Sequence, residues 1–169
     1  MRILPISAVN PLLKEQPKYW DVITVGNALP FTRLCRRHCE LDCDDELAAS
    51  PGRPVWGGMP SRGPSSEQVR QALAFARESA DERLIVHCHA GISRSPAIAW
   101  CILLARVRDI PLATQMLFEI RPEALPNPVI IRHGLEIITG SAAVHDSVMA
   151  DMQRRSSHPQ KARFLTPLA

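Results

Sequence analysis

Long apolar runs are missing from this 169-residue chain, and no stretch approaches the length needed to span a bilayer. No stable membrane insertion is therefore expected. The segment Met1 to Asn10, with one Arg and an interrupted apolar run, also lacks the pattern of an export leader. Cysteines spaced as Cys-x-x-Cys are missing too. The five cysteines are odd in number, which without a leader argues for reduced thiols in a cytoplasmic setting. Cys35, Cys39 and Cys43, with His38 among them, recur at spacings of four rather than the two-residue gaps of zinc knuckles, so no metal site is expected.

Internal repeats are not found, and at this length a second catalytic domain does not fit beside the first. A hydrophobic fraction of 46% suits one globular core. A strong charge of either sign is missing as well. Of the 20 basic residues, Arg154, Arg155, Lys161 and Arg163 fall in residues 154–169 without an acid, leaving 16 basic against 17 acidic residues in 1–153. We read 1–153 as the folded domain and 154–169 as a flexible basic polar tail, with no nucleic-acid partner expected and the oligomeric state open.

What is present alternates between strand-like and helix-like patterns. Ile3 to Ile6 reads as a first strand, Pro11 to Gln16 as a helix and Asp21 to Val25 as a second strand. A third short strand falls near Cys39 to Cys43. Leu47 to Pro64, rich in Gly and Pro, reads as a long loop. Ser65 and Gln68 form a capping-box pattern before Val69, Leu73, Ala76 and Ala80 at helical spacing. Leu84-Ile85-Val86 is a strand, and Ile98 to Ala105, apolar on every side, a central helix. Pro111 to Ile120, Val129 to Thr139 and Ala142 to Arg154 read as further helices. Strands joined by helices imply an α/β fold: one domain with a mainly parallel, twisted sheet of four to five strands, flanked by helices, with ligand at the strands' C-terminal edge.

That edge receives the most informative segment, His87-Cys88-His89-Ala90-Gly91-Ile92-Ser93-Arg94-Ser95. Five residues separate Cys88 from Arg94, few enough to curl into one loop whose N–H groups converge on an anion at a helix N-terminus. Residues His89, Ala90, Gly91, Ile92, Ser93 and Arg94 would hold a phosphate. A thiol attacks as the thiolate, a form favoured by amides, a helix N-terminus and a guanidinium. The planar fork of Arg94 can grip two phosphoryl oxygens, and Gly91 can take backbone angles closed to other residues. A bond from the hydroxyl of Ser95 or Ser93 to the Cys88 sulfur would make it a better leaving group. Strand alternation turns His87 away from Cys88, so it braces the loop from behind.

The string resembles the signature of the cysteine-dependent protein tyrosine and dual-specificity phosphatases. The stretch Arg121-Pro122-Glu123-Ala124-Leu125-Pro126-Asn127-Pro128 is similar to a segment of the dual-specificity type, especially in compact bacterial members, and by that match Asn127 would support the phosphate loop. The resembling segments cover roughly residues 39 to 140. The resemblance implies a phosphomonoester hydrolase working through a phosphocysteine on a phosphorylated protein or small phosphomonoester, without metal or organic cofactor. The alternative is a weakly active or inactive phosphate- or phosphopeptide-binding module. A sulfur- or arsenate-transfer enzyme would share the cysteine loop but not need Arg94-Ser95 and an upstream acid together. With no lysine among residues 89–93, polyanionic lipid headgroups are disfavoured as substrates.

An acid must protonate the departing ester oxygen. Asp81 and Glu82 lie about 20 Å from Cys88 at ~3.3 Å per strand residue. Asp109 is about as far at ~1.5 Å per helical residue. That leaves Asp42, Asp44, Asp45 and Glu46. The resemblance implies Asp45, with Asp44 second, although Glu46 stands where the family pattern has an apolar residue. Cys43, beside this cluster, is the candidate to trap an oxidised Cys88 as a disulfide.

Overall fold

Successive residues of Asp21–Val25 (β2) and Leu84–Cys88 (β4) face opposite sides of one sheet, and both strands, apolar on both faces, are buried throughout. The computed structural model describes residues 1–26, 29–45 and 63–159. Arg2–Pro5 (β1) and Arg37–Leu41 (β3) complete the sheet in the order β1-β4-β2-β3, with every pairing parallel. Four strands are thus present among the described residues, the lower of the expected numbers.

Six α-helices among the described residues flank the sheet: Ile6–Glu15 (α1), Ser66–Arg77 (α2), Arg94–Val107 (α3), Ile110–Ile120 (α4), Pro128–Thr139 (α5) and His145–Arg155 (α6). They divide unevenly. Val9 and Leu13 of α1 pack with Val22 and Ile85 on one face, while Ile23, Val25, Val86 and Cys88 face the larger core built by α2 to α6. Helix α3 runs through that core, and its ten residues from Ser95 to Leu104 are all buried. Trp100 is fully enclosed, its indole N–H satisfied by Thr114 Oγ1 at 3.0 Å.

Several boundaries differ from the sequence pattern for identifiable reasons. Helix α1 starts at Ile6 rather than Pro11, because the Ile6 N–H finds the carbonyl of His89 at 3.1 Å, a contact no local pattern encodes. Strand β3 lies at 37–41, not 39–43: the N–H of Gly26 takes the Leu41 carbonyl at 2.8 Å and the chain then turns out of the sheet. Ala80 falls beyond α2, which ends at Arg77. Helix α6 begins at His145 rather than Ala142 and continues to Arg155, so a domain boundary after 153 cuts its last turn, where Arg155 pairs with Asp151 at 2.7 Å. Ser156 is buried and the N–H of Ser157 reaches the Pro122 carbonyl at 2.9 Å. Residues 47–62 of the expected long loop, and Glu46 before it, lie outside the described residues, as do 160–169 of the tail.

Candidate active site

All four strands end on the same side, and the chain segments leaving them there assemble the site. Cys88 closes β4 with only 2% exposure, and residues 89–93 connect it to α3. Four carbonyls of that connection are tied outward. His89 accepts from the Ile6 N–H at 3.1 Å, Ile92 from the Leu125 N–H at 2.8 Å and Ser93 from the Asn127 N–H at 3.2 Å. Gly91 accepts from Arg121 Nε at 3.2 Å. Among the described residues, none accepts from the N–H groups of Ala90 to Ser93. Gly91 has φ +71°, and a Cβ there would lie 2.8 Å from the Pro5 nitrogen, so both conformation and space demand glycine.

Arg94 and Ser95 open α3. The Ser95 hydroxyl, fully buried, donates to the Cys88 sulfur at 3.2 Å, the bond expected to ease its departure. Arg94 Nη1 donates to the Cys43 carbonyl at 2.9 Å, while its buried Nε has no hydrogen-bond partner. A buried donor of this kind has unspent capacity for a phosphoryl oxygen. Gly26, immediately after β2, gives the guanidinium its seat: it has φ +90°, and a Cβ on it would overlap Arg94 Nη1. Sequence reasoning missed Gly26, whose only signal was a glycine directly after an apolar strand.

Asp45 reaches the same loop. Its Oδ1 accepts from Ser93 Oγ at 2.7 Å and from Asn127 Nδ2 at 3.0 Å, and its Oδ2 lies 3.9 Å from Arg94 Nε. Two donors on one oxygen orient the carboxylate and leave the other facing the arginine. Asn127, fully buried, also caps α5: its Oδ1 accepts from the N–H groups of Val129 at 3.0 Å and Ile130 at 3.2 Å. Asp109 is engaged elsewhere, capping α4 through the Leu112 N–H at 2.8 Å.

Behind the loop, His87 is fully buried on the α1 side of the sheet, as alternation requires. Its Nε2 meets Thr24 Oγ1 at 2.8 Å, and the same hydroxyl meets His38 Nε2 at 2.8 Å. Burial pushes the His87 imidazole down from 6.5 to about 4, partly opposed by the Cys88 backbone and aided by His38. His38 is also lowered, chiefly by burial. Thr24 escaped sequence reasoning, and His38 was considered only as part of a metal cluster. No group able to hold a metal ion occurs among the described residues. Burial pushes the Cys43 thiol up to about 12 despite the nearby Arg94. The contact of Cys43 with the site is through its backbone carbonyl, which accepts from Arg94 Nη1.

No protein-family model and no curated protein sequence matches the chain. Solved structures do. A human tyrosine phosphatase-like serine/threonine/tyrosine-interacting protein superposes with a TM-score of 0.58 at 21% identity, covering 80% of this chain and 88% of that one. Tk-PTP in its active form gives 0.56 at 17% identity over 82% of this chain and 88% of its own. DUSP15 gives 0.53 at 16% identity over 92% and 95%. A four-stranded parallel sheet that delivers a cysteine to a helix N-terminus, together with these superpositions, gives the chain the fold of the cysteine-dependent tyrosine and dual-specificity phosphatases.

Proposed function

We propose that the chain hydrolyses phosphomonoesters of the protein tyrosine or dual-specificity class through a phosphocysteine, in a reducing, cytoplasmic setting. The observation that carries this reading is the meeting of Asp45 with Ser93 and Arg94, which brings an acid from beyond β3 to the loop that starts at Cys88. The Cys88 thiolate attacks phosphorus in line with the departing oxygen. The loop N–H groups and Arg94 hold the three equatorial oxygens as charge spreads over them. Asp45 gives its proton to the ester oxygen, and the alcohol or phenol leaves. The resulting Asp45 carboxylate then takes a proton from water, which attacks the phosphocysteine. Ser95 Oγ donates to the sulfur as the S–P bond breaks, and inorganic phosphate departs. Cys88 and Asp45 act in both half-reactions and Ser95 in the second, and no step calls on a metal or organic cofactor.

Hydrolysis of p-nitrophenyl phosphate by the wild type and Cys88→Ser tests this. We expect turnover in the wild type and none above background in the variant. A wild type that is inactive yet binds a phosphotyrosyl peptide would move the assignment to a phosphopeptide-binding module. That second reading has one observation in its favour: a structure of this fold belongs to a protein described as phosphatase-like and interacting.

A further inference from the structure

Thr24 Oγ1 has one hydrogen and two imidazole neighbours. Both contacts are 2.8 Å, and the hydroxyl is fully buried. A single hydroxyl can donate to only one Nε2. If both rings donated to it, its own hydrogen would be left buried without an acceptor, a costly arrangement. The two imidazoles must therefore be complementary, one protonated at Nε2 and the other not. His87 cannot turn to water to escape this rule, since it is fully buried. His38, half-buried on the edge strand β3, can satisfy its other nitrogen with water.

We propose that Thr24 and His38 are positioning residues: through the Thr24 hydroxyl they fix the tautomer and ring orientation of His87, and thereby the root of the loop that carries Cys88. The coupling crosses three adjacent strands, since Thr24 is in register with His87 of β4 while Val22, on the same face as Thr24, is in register with His38. The lowered proton affinity of both rings keeps each neutral near pH 7, the only state in which complementary tautomers exist.

The test reads ring-nitrogen chemical shifts of ¹⁵N-histidine-labelled full-length protein at pH 7.5, together with steady-state kinetics on a phosphomonoester. We expect single, opposite tautomers for His38 and His87 in the wild type. In Thr24→Val, His87 should move to a tautomer mixture, and Thr24→Ser should restore the wild-type pattern. His38→Phe, at a half-buried position, should likewise release His87 into a mixture. The same tautomer on both rings, or a His87 pattern untouched by Thr24→Val and by His38→Phe, would overturn the proposal. In kinetics we expect Thr24→Val to lower kcat by about 10- to 100-fold with little change in KM, and Thr24→Ser to recover it. Unchanged kcat in Thr24→Val would also overturn it. The kinetic arm rests on the proposed hydrolase activity, whereas the spectroscopic arm does not. A chain without turnover but with coupled tautomers therefore fails the first reading and keeps the second.

Discussion

Asp45 is the residue at which geometry adds most to the sequence. Four acids stood close together before the long loop, and only the backbone path out of β3 decides that the Asp45 carboxylate meets Ser93 and Asn127. If it protonates the leaving group, Asp45→Asn should slow hydrolysis of a phosphotyrosyl ester by roughly 10²- to 10⁴-fold. The loss should shrink for an activated aryl ester, whose departing anion needs little help. Asp44→Asn is the control, and a leaving-group-dependent loss there instead would transfer the role by one residue. Arg94→Lys keeps the charge but not the fork, so we expect most turnover to vanish while the protein remains folded by circular dichroism. Cys88, Arg94 and Ser95 were legible because a seven-residue loop is local. Gly26 and Thr24 were not, since each acts on a residue more than sixty positions away.

Among the elements, α5 shows how one side chain can serve two purposes. Asn127 caps the helix with its carbonyl oxygen and holds Asp45 with its amide nitrogen. These functions separate by substitution. Asn127→Ala should lower stability by about 1 kcal/mol through the lost cap, read from the urea midpoint, and lower activity as well. Asn127→Asp keeps an equally good cap but sets a carboxylate against Asp45, so stability should hold near wild type while turnover falls. Wild-type turnover in Asn127→Asp would show that Asn127 acts only through the helix. The helix pattern itself was readable: Ser65 and Gln68 form the expected capping box, with Ser65 Oγ accepting the Gln68 N–H at 3.3 Å. The start of α1 was not, because Pro11 offered a local signal for a helix that is in fact anchored from the far end of β4.

At the scale of the whole molecule, burial of His87 links stability to pH. Its imidazole loses protons more readily in the fold, near 4, than in the open chain, near 6.5. The unfolded state therefore binds more protons between those values, and the stabilising contribution is complete above about pH 6.5 and lost as pH falls through about 4. The loss amounts to roughly 3 kcal/mol. Urea unfolding of the wild type and His87→Gln at pH 7.5 and 4.5 should show a shallower acid dependence in the variant. Parallel curves would mean that other groups set the acid limit.

The order of the sheet has a bearing on how the protein is made. Among the described residues β1 pairs with β4 alone, and β4 lies between β1 and β2, so β1 has no described neighbour until residues 84 to 88 have left the ribosome. At the usual pace of translation that is a delay of roughly 5 to 15 s. The same five residues end in Cys88. The strand that joins β1 to β2 is the one that carries Cys88, and Pro5 and Ile6 lie against the loop that follows it. Until that strand is out, the chain can complete neither the four-stranded sheet of the described residues nor the loop that follows Cys88.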